Sequence, residues 1–294
     1  MEKINIGFLG YGTKALDSLM AHPMFDVRYF FAPRSKLCRD VFDAQEKYKD
    51  CFEMEVIDNN GQLAARFAEI TDADCFLMNA CPIILNREVL EEMRVFNIHP
   101  GDLSCNRGHQ PHCWTVLLGE RQTRIVLHRV TEAIDSGPVV KSVGIPVSAD
   151  DSAEDVLKHA EAEIPVLLDA LYKHLTEHTD YELTVENGGY RRVMTHDDYE
   201  LHLSIDTREQ IKRKILSRIT YHGAFFRYGE DRVYVDDILS YREYRERQDY
   251  AIIVWIEREE ELVHVHSIWR SMVFHLNKVE RQSGKDAGGM YEVN

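Results

Sequence analysis

The sequence of 294 residues lacks the features that mark membrane, secreted and metal-binding proteins. No apolar run approaches the roughly 18 residues that a membrane span needs, so we expect no association with a membrane. The six cysteines form no CxxC pair and show no metal-ligand spacing, which predicts reduced thiols and no metal site. Because the first residues lead into an apolar stretch without a basic leader, we expect a cytoplasmic protein.

Positive charge is also scarce, since 35 Lys and Arg residues face 50 Asp and Glu residues and give a formal net charge of −15. A surface of this sign repels polyanions on average, which disfavours nucleic acid as a partner. The two short basic runs, at 47–49 and 212–214, are flanked by acids and are typical of solvated faces. The remaining composition, 44% apolar and 29% charged, is that of a soluble globular protein.

Short apolar runs alternate with amphipathic segments through the first 175 residues. The pattern predicts strands at 4–9, 27–31, 54–57, 75–78, 95–98, 125–130 and 139–147, and helices at 13–21, 63–70, 88–93 and 151–175. Such alternation indicates an α/β fold, an open, mostly parallel twisted sheet with flanking helices. In this class of fold, ligands lie beyond the carboxyl ends of the strands.

The length of the chain and a change of pattern near residue 195 predict two domains. We assign residues 1–194 to the α/β domain and residues 195–294 to a small β-rich C-terminal domain. The second domain is predicted to contain a helix at 208–218 and strands at 224–228, 232–235, 251–256 and 262–268. Such a domain offers a surface for a homodimer, and we expect the tail after Gln282 to be frayed.

A glycine turn, Gly10-Tyr11-Gly12-Thr13, separates the first strand from the first helix. Glycines allow a ligand to approach the backbone, and the free N–H groups at a helix start attract anions. A phosphate contact and a plain tight turn are both compatible with this segment. A dinucleotide site is less compatible, because the second strand ends at Ala32-Pro33-Arg34 without the acid that would bind a ribose.

The strongest chemical pattern is the set Asn97, His99 and Asp135. Asn97 and His99 are two residues apart at the end of a predicted strand, so their side chains point to one face. Asp135 lies in a later loop, Asp-Ser-Gly-Pro. An amide donor, an imidazole and a carboxylate suit acyl transfer to an amine, since they can stabilise an oxyanion and move protons.

These residues stand in a longer ordered pattern: Asn97-Ile-His99-Pro, then Arg107-Gly108 with Pro111, then Asp135-Ser-Gly. The pattern resembles that of the folate-dependent formyltransferases over about residues 1–175. The resemblance implies that Asn97, His99 and Asp135 form the catalytic triad and that 10-formyltetrahydrofolate is the formyl donor. It also implies a pterin pocket built by the segments 83–90 and 131–134. The first includes Ile83, Leu85 and Leu90, and the second includes Glu132, Ala133 and Ile134.

The acceptor is less closely defined than the donor. The turn Gly10–Thr13 is similar to the one with which ribonucleotide formyltransferases hold a phosphate, so a small molecule carrying a phosphate or nucleotide is expected. After His99 the family commonly has Ser-Leu-Leu-Pro, whereas this chain has Gly-Asp-Leu-Ser. Asp102 in that altered loop, and Arg107 beyond it, are candidate substrate contacts. Trp114 is expected to pack in the core rather than to bind a ligand.

Three functions remain open at this point. The region after Arg191 resembles the C-terminal module of methionyl-tRNA and sugar N-formyltransferases, which glycinamide ribonucleotide enzymes lack. Acids outnumber Lys and Arg between residues 195 and 294, which favours a nucleotide-linked amino sugar over tRNA. We therefore expect a sugar N-formyltransferase, with a methionyl-tRNA formyltransferase and a non-catalytic ligand-binding relative as alternatives.

Overall fold

The computed structural model of the chain describes residues 3–183, 188–246, 248, 252–257, 259–267 and 270–280. Contacts divide the chain into two compact units. The first contains residues 1–111, 122–146 and 157–192, and the second contains residues 112–121, 147–156 and 193–294. The domain boundary that the sequence predicts between residues 194 and 195 stays a prediction. The expected fraying after Gln282 lies outside the described residues.

The first unit is built on a seven-stranded sheet. In chain order its strands are β1 (Ile4–Gly10), β2 (Phe25–Pro33), β3 (Met54–Ile57), β4 (Cys75–Asn79), β5 (Val95–His99), β7 (Gln122–Arg129) and β8 (Val139–Pro146). A two-residue strand, β6 (Arg107–Gly108), pairs separately with β9 (Tyr190–Arg191). The mostly parallel sheet predicted from the sequence is therefore confirmed.

The order of the strands in this sheet is β3-β2-β1-β4-β5-β7-β8. The first five run parallel, whereas β5 with β7 and β7 with β8 are antiparallel pairs. The chain builds outward from β1 to β3 and then returns to the other side of β1 with β4. This reversal is a topological switch point between the carboxyl ends of β1 and β4, where folds of this class bind ligands.

Continuous apolar strands explain why both faces of the sheet are covered. Within β1, Ile6 and Phe8 belong to one buried cluster, whereas Leu9 belongs to another; in β2, Phe30 and Phe31 divide in the same way. Successive side chains of a strand point to opposite faces, so uninterrupted apolar runs require packing on both sides. Helices supply that packing in the doubly wound class of fold.

The helices are α1 (Thr13–Ala21), α2 (Arg39–Lys47), α3 (Asn60–Glu69), α4 (Arg87–Glu92), α5 (Pro111–Leu118), α6 (Ala153–Glu161), α7 (Ile164–Glu177), α8 (His196–Tyr199) and α9 (Arg208–Arg218). The single helix expected over 151–175 is wrong, because the structure has two helices there. Pro165 lies in the first turn of α7 and lacks the N–H that a continuous helix needs, so the chain breaks before it.

The second unit contains a five-stranded antiparallel sheet of order β10-β11-β14-β13-β12. Its strands are β10 (Ala224–Tyr228), β11 (Asp231–Glu243), β12 (Ile252–Glu257), β13 (Leu262–Ser267) and β14 (Arg270–Glu280). The β-rich C-terminal region predicted from the sequence is confirmed. However, β11 is longer than the expected 232–235, and β14 was not expected at all.

Helices α8 and α9 pack with this second sheet in a core that includes Phe225, Phe226 and Phe274. Trp114 packs in a separate buried cluster of the same unit with Cys113, Val116 and Val156, as expected for a core residue. No helix within the described part of the chain is both long and apolar enough to cross a membrane.

Candidate active site

Asn97 and His99 lie at the carboxyl end of strand β5. Both side chains are almost entirely buried, with 7% of Asn97 and 5% of His99 exposed. Their spacing on an extended strand directs them to the same side, as the sequence predicts. A buried amide and a buried imidazole need hydrogen-bond partners, and the surrounding loops supply them.

Asp135 is brought to this pair by the loop between β7 and β8. Its Oδ1 accepts a hydrogen bond from Asn97 Nδ2 at 3.4 Å, and its Oδ2 lies 3.5 Å from His99 Nδ1. The backbone of Asp135 has a φ of 46°, an uncommon left-handed conformation for a residue that is not glycine. The three residues predicted from the sequence therefore form one cluster.

A backbone group fixes the carboxylate of Asp135. The N–H of Gly108 donates to Oδ2 at 2.9 Å. Gly108 has a φ of 98°, and a Cβ at this position would lie 2.4 Å from the carbonyl oxygen of Arg191 on the paired strand. Only glycine satisfies both conditions, so the short β6–β9 pairing and the position of the Asp135 carboxylate depend on the same residue.

The hydrogen bonds of His99 assign its two ring nitrogens. Nε2 lies 2.8 Å from the carbonyl oxygen of Asn106 and must donate to it, so Nε2 carries the hydrogen. In the neutral ring, Nδ1 is then the basic nitrogen, and it faces Asp135. Burial lowers the pKa of His99 and outweighs the opposing effects of Asp135 and of the Asn106 carbonyl. The imidazole is consequently neutral near pH 7 and can accept a proton.

Asp135 is held in its ionised form. Burial alone would raise the pKa of this carboxyl, but its interactions with His99, His128 and the N–H of Gly108 outweigh burial. Together they hold the pKa of Asp135 well below its usual range. A neutral base and a permanent anion therefore lie side by side, and the anion stabilises the base once it is protonated.

His128 completes the cluster, although it is not among the site residues predicted from the sequence. It lies on β7 directly opposite Asn97 on β5, and only 2% of it is exposed. Asn97 Nδ2 donates to His128 Nε2 at 3.2 Å, and His128 Nδ1 lies 3.0 Å from the carbonyl oxygen of Arg129, to which it donates. The antiparallel register of β5 and β7 creates this contact, and a register between two distant strands cannot be read from a local sequence motif.

The two side chains proposed near the altered loop have different surroundings. Arg107 donates to Ser136 Oγ and to the carbonyl oxygen of Gly188, so it braces the loop that holds Asp135. Asp102 instead accepts from the backbone N–H of Ser104 at 2.8 Å and from its hydroxyl, which shapes its own turn. The structure thus places Arg107 beside the triad. A substrate contact by either residue stays a prediction.

The glycine turn lies at the carboxyl end of β1, beside the end of β4. Gly12 immediately precedes α1 and, having no side chain, cannot itself cap the first N–H groups of that helix. The ammonium of Lys36 lies 5.5 Å from the centre of the Tyr11 ring, which brings a positive charge near the turn. These features suit an anion, although phosphate binding by Gly10–Thr13 stays a prediction.

The two segments expected to form a pterin pocket converge in the structure. Ile83, Leu85 and Leu90 pack in one cluster with Val130, which directly precedes the second segment. The charge of Glu132 also acts on Arg87, whose pKa is raised mainly by its hydrogen bond to Glu91 and further by the electrostatic effect of Glu132. Leu85 is buried, with 3% exposed, so its side chain supports the segment from within the core.

Exposed apolar side chains lie on both segments: Ile84 is 60% exposed and Ile134 is 36% exposed. Such side chains suit the flat face of a pterin, and backbone groups of the same loops can meet its polar edge. The residues present therefore fit a folate. Ile84 lay inside the predicted segment but was not singled out, because alternation within a loop is not visible in the sequence.

The fold and the cluster together resemble one known family of enzymes. A seven-stranded α/β unit with an Asn-x-His pair facing a loop aspartate has the fold of the formyltransferases, and residues 41–171 match the family model described as formyl transferase. The resemblance predicted from the sequence is thereby confirmed.

Two curated relatives match this chain over part of its length. The chain is 31% identical over 140 residues to methionyl-tRNA formyltransferase of Synechococcus elongatus. The matched region covers 45% of this chain and 41% of that protein. It is 25% identical over 164 residues to dTDP-4-amino-4,6-dideoxyglucose formyltransferase of Mycobacterium tuberculosis, covering 55% of this chain and 65% of that protein. The chain thus spans less than half the length of the first relative.

A solved structure matches over a longer range. The N-formyltransferase of Helicobacter canadensis, solved in complex with folinic acid and dTDP-3-aminofucose, superposes with a TM-score of 0.61. The match covers 95% of this chain and 100% of that one at 15% identity. At this level of identity, the similarity shows a shared fold.

Proposed function

We propose that this protein transfers a formyl group from 10-formyltetrahydrofolate to the primary amine of a nucleotide-linked amino sugar. The observation that carries the proposal is the buried cluster of Asn97, His99 and Asp135 at the carboxyl end of the sheet. Formyl transfer needs a donor to the carbonyl oxygen, a base for the amine and a charge that stabilises the protonated base. This cluster contains one group for each task.

Bound 10-formyltetrahydrofolate would supply an activated formyl group, held by the backbone of the loops that carry Ile84 and Ile134. The amine nitrogen forms a bond to the formyl carbon, and the bond between that carbon and the folate nitrogen breaks. His99 Nδ1 takes the proton that the amine loses. Asp135 stabilises the resulting imidazolium, and the proton passes to the departing nitrogen, directly or through a water molecule.

Asn97 has a separate task in this scheme. Its amide donates to His128 and to Asp135, which fixes the plane of the amide. One N–H of the amide leaves Asp135, whose hydrogen bond of 3.4 Å is the longer of the two, and donates instead to the formyl oxygen, where it stabilises the developing negative charge while the bond to His128 holds the amide in place. His99 in its protonated form adds a positive charge to the same site.

Two observations support an amino-sugar acceptor. The Mycobacterium tuberculosis relative is named for a dTDP-linked amino sugar, and the Helicobacter canadensis enzyme was solved with one bound. The turn Gly10–Thr13, with Lys36 nearby, offers N–H groups and positive charge for the phosphates of such a substrate. Gly10, Tyr11, Gly12, Thr13, Asp102 and Arg107 are the substrate contacts we propose.

A methionyl-tRNA acceptor is the second candidate, because the Synechococcus elongatus relative at 31% identity has that activity in its name. Against it stands the acidic charge of this chain, a formal −15, which opposes a polyanion. Binding of tRNA requires many cationic contacts, whereas a nucleotide sugar requires only the few near one turn.

A homodimer and a cytoplasmic location remain part of the proposal.

The test is a parallel assay of acceptors with 10-formyltetrahydrofolate as donor. We expect N-formyl product, detected by mass spectrometry, with at least one member of a panel of dTDP-, UDP- and GDP-linked amino sugars. Charged initiator tRNA at physiological salt is expected to give none. Formylation of the tRNA, with no product from any sugar, would reverse the ranking. Absence of product from both classes would support a non-catalytic relative.

A further inference from the structure

Asn79 is the last residue of β4 and lies between the two parts of the proposed site. In the sheet it is the register partner of Gly10 on β1 and of Ile98 on β5. It therefore stands at the topological switch point, with the glycine turn on one side and the catalytic strand on the other. The positive φ of Ala80, 52°, turns the chain away directly afterwards.

One edge of the Asn79 amide is bound to the catalytic strand. Nδ2 donates to the carbonyl oxygen of Ile98 at 2.9 Å. Ile98 lies between Asn97 and His99, and its carbonyl belongs to the peptide group that ends at the nitrogen of His99. This hydrogen bond therefore fixes the backbone from which the imidazole projects.

The other edge of the amide is turned toward the glycine turn. A Cβ at Gly12 would lie 1.8 Å from Asn79 Oδ1, and a Cβ at Gly10 would lie 1.9 Å from the backbone oxygen of Asn79. The glycines at both positions are thus explained by the close approach of Asn79. Among the residues that the structure describes, no group donates a hydrogen bond to Oδ1.

An oxygen with this placement distinguishes the parts of a ligand. Oδ1 accepts hydrogen bonds and cannot bind an ionised phosphate, which has no hydrogen to donate. The N–H groups at the start of α1 have the opposite preference. A nucleotide sugar bound here would consequently place its phosphates over Gly12 and Thr13, and a hydroxyl or amine of the sugar against Asn79.

We propose that Asn79 is a positioning residue for the acceptor, an inference that rests on the proposed function. Its Nδ2 holds the Ile98 carbonyl, and its Oδ1 accepts a hydrogen bond from an O–H or N–H group of the sugar. The acceptor and the Asn97–His99 pair are in this way aligned by one side chain. An error of about 1 Å in such an alignment can lower the rate by about a hundredfold.

The experiment compares Asn79→Ala with Asn59→Ala. Asn59 caps α3 by accepting from the N–H of Gln62 at 3.0 Å, so its loss affects stability without touching the site. For Asn79→Ala we expect kcat/KM for the sugar to fall at least about tenfold, with an unchanged KM for 10-formyltetrahydrofolate. For Asn59→Ala we expect a lower Tm and an unchanged kcat/KM.

Equal kcat/KM values for the two variants, or a joint rise in the KM of both substrates, would overturn the inference. Asn79→Ser serves in the same comparison if Asn79→Ala does not fold. If the wild type transfers no formyl group, the proposed function fails, and the inference is judged by calorimetry with dTDP-linked amino sugars. Weaker binding by Asn79→Ala than by Asn59→Ala supports it, whereas equal binding or none contradicts it.

Discussion

The carboxylate oxygen Oδ2 of Asp135 lies 3.5 Å from Nδ1 of His99, the one ring nitrogen that is not bound to the backbone. In the proposed mechanism this relationship makes Nδ1 the proton acceptor, since Nε2 already donates to the carbonyl oxygen of Asn106. It also explains why a buried imidazole can act as a base. Burial keeps the ring neutral, and Asp135 stabilises the cation that proton transfer creates.

The first prediction concerns the dependence of kcat/KM on pH. Only neutral His99 accepts a proton, so kcat/KM should fall on the acid side with an apparent pKa below the ordinary value for histidine, about 6.5. Asp135 raises the pKa of His99, so Asp135→Asn should move this limb to still lower pH while reducing the rate. A limb above 6.5, or a shift to higher pH in the variant, would contradict the assignment.

The second prediction concerns His128, which orients Asn97. His128→Gln should lower kcat by about ten- to a hundredfold, because the amide of Asn97 loses the partner that fixes its plane. The KM for 10-formyltetrahydrofolate should change little. His178→Gln, at an exposed histidine of the same unit, provides the control and should retain full activity. Unchanged kcat in a folded His128→Gln protein would remove His128 from the site.

The third prediction separates two neighbouring apolar residues of the proposed pterin segment. Leu85→Ala should lower the free energy of unfolding by about 2–5 kcal/mol, because it opens a cavity in the core. Ile84→Ala should leave stability nearly unchanged and weaken the binding of tetrahydrofolate. Chemical denaturation and calorimetry measure the two effects. If Ile84→Ala binds tetrahydrofolate as the wild type does, this segment does not contact the pterin through Ile84.

The fourth prediction tests the contact between Gly12 and Asn79 without any assay of activity. Gly12→Ala alone should cost about 1–3 kcal/mol, because the new Cβ displaces Asn79 Oδ1. The same change in an Asn79→Ala background should cost much less, since the displaced atoms are absent. The coupling energy from a double-mutant cycle measures this difference. Additive costs would mean that the two residues are not in contact.

Much of the first unit could be predicted from the sequence because its signals are local. Apolar runs such as that of β1 are buried on both faces and are visible as such. To predict that Asn97 and His99 point to the same side, it is enough to know that they lie two residues apart on a strand. The family pattern then supplies Asp135, which is distant in the sequence and could not be joined to the pair by periodicity.

The features that were missed depend on pairing between distant segments. His128 reaches Asn97 through the register of two antiparallel strands, and the donation of Gly108 to Asp135 depends on the pairing of β6 with β9. Strand β14 buries Met272 and Phe274, but the apolar Val273 between them hides the alternation in the sequence. The break before Pro165 could have been predicted, because proline favours the first turn of a helix.

The most direct test of the central claim is formyl transfer by the wild type and by Asn97→Ala, His99→Ala and Asp135→Ala. The measurement is the rate of tetrahydrofolate release in the presence of the amino-sugar nucleotide that the wild type accepts. We predict release by the wild type that depends on the acceptor, and a loss of at least about a hundredfold in each folded variant. Equal rates in the wild type and all three variants would contradict the account.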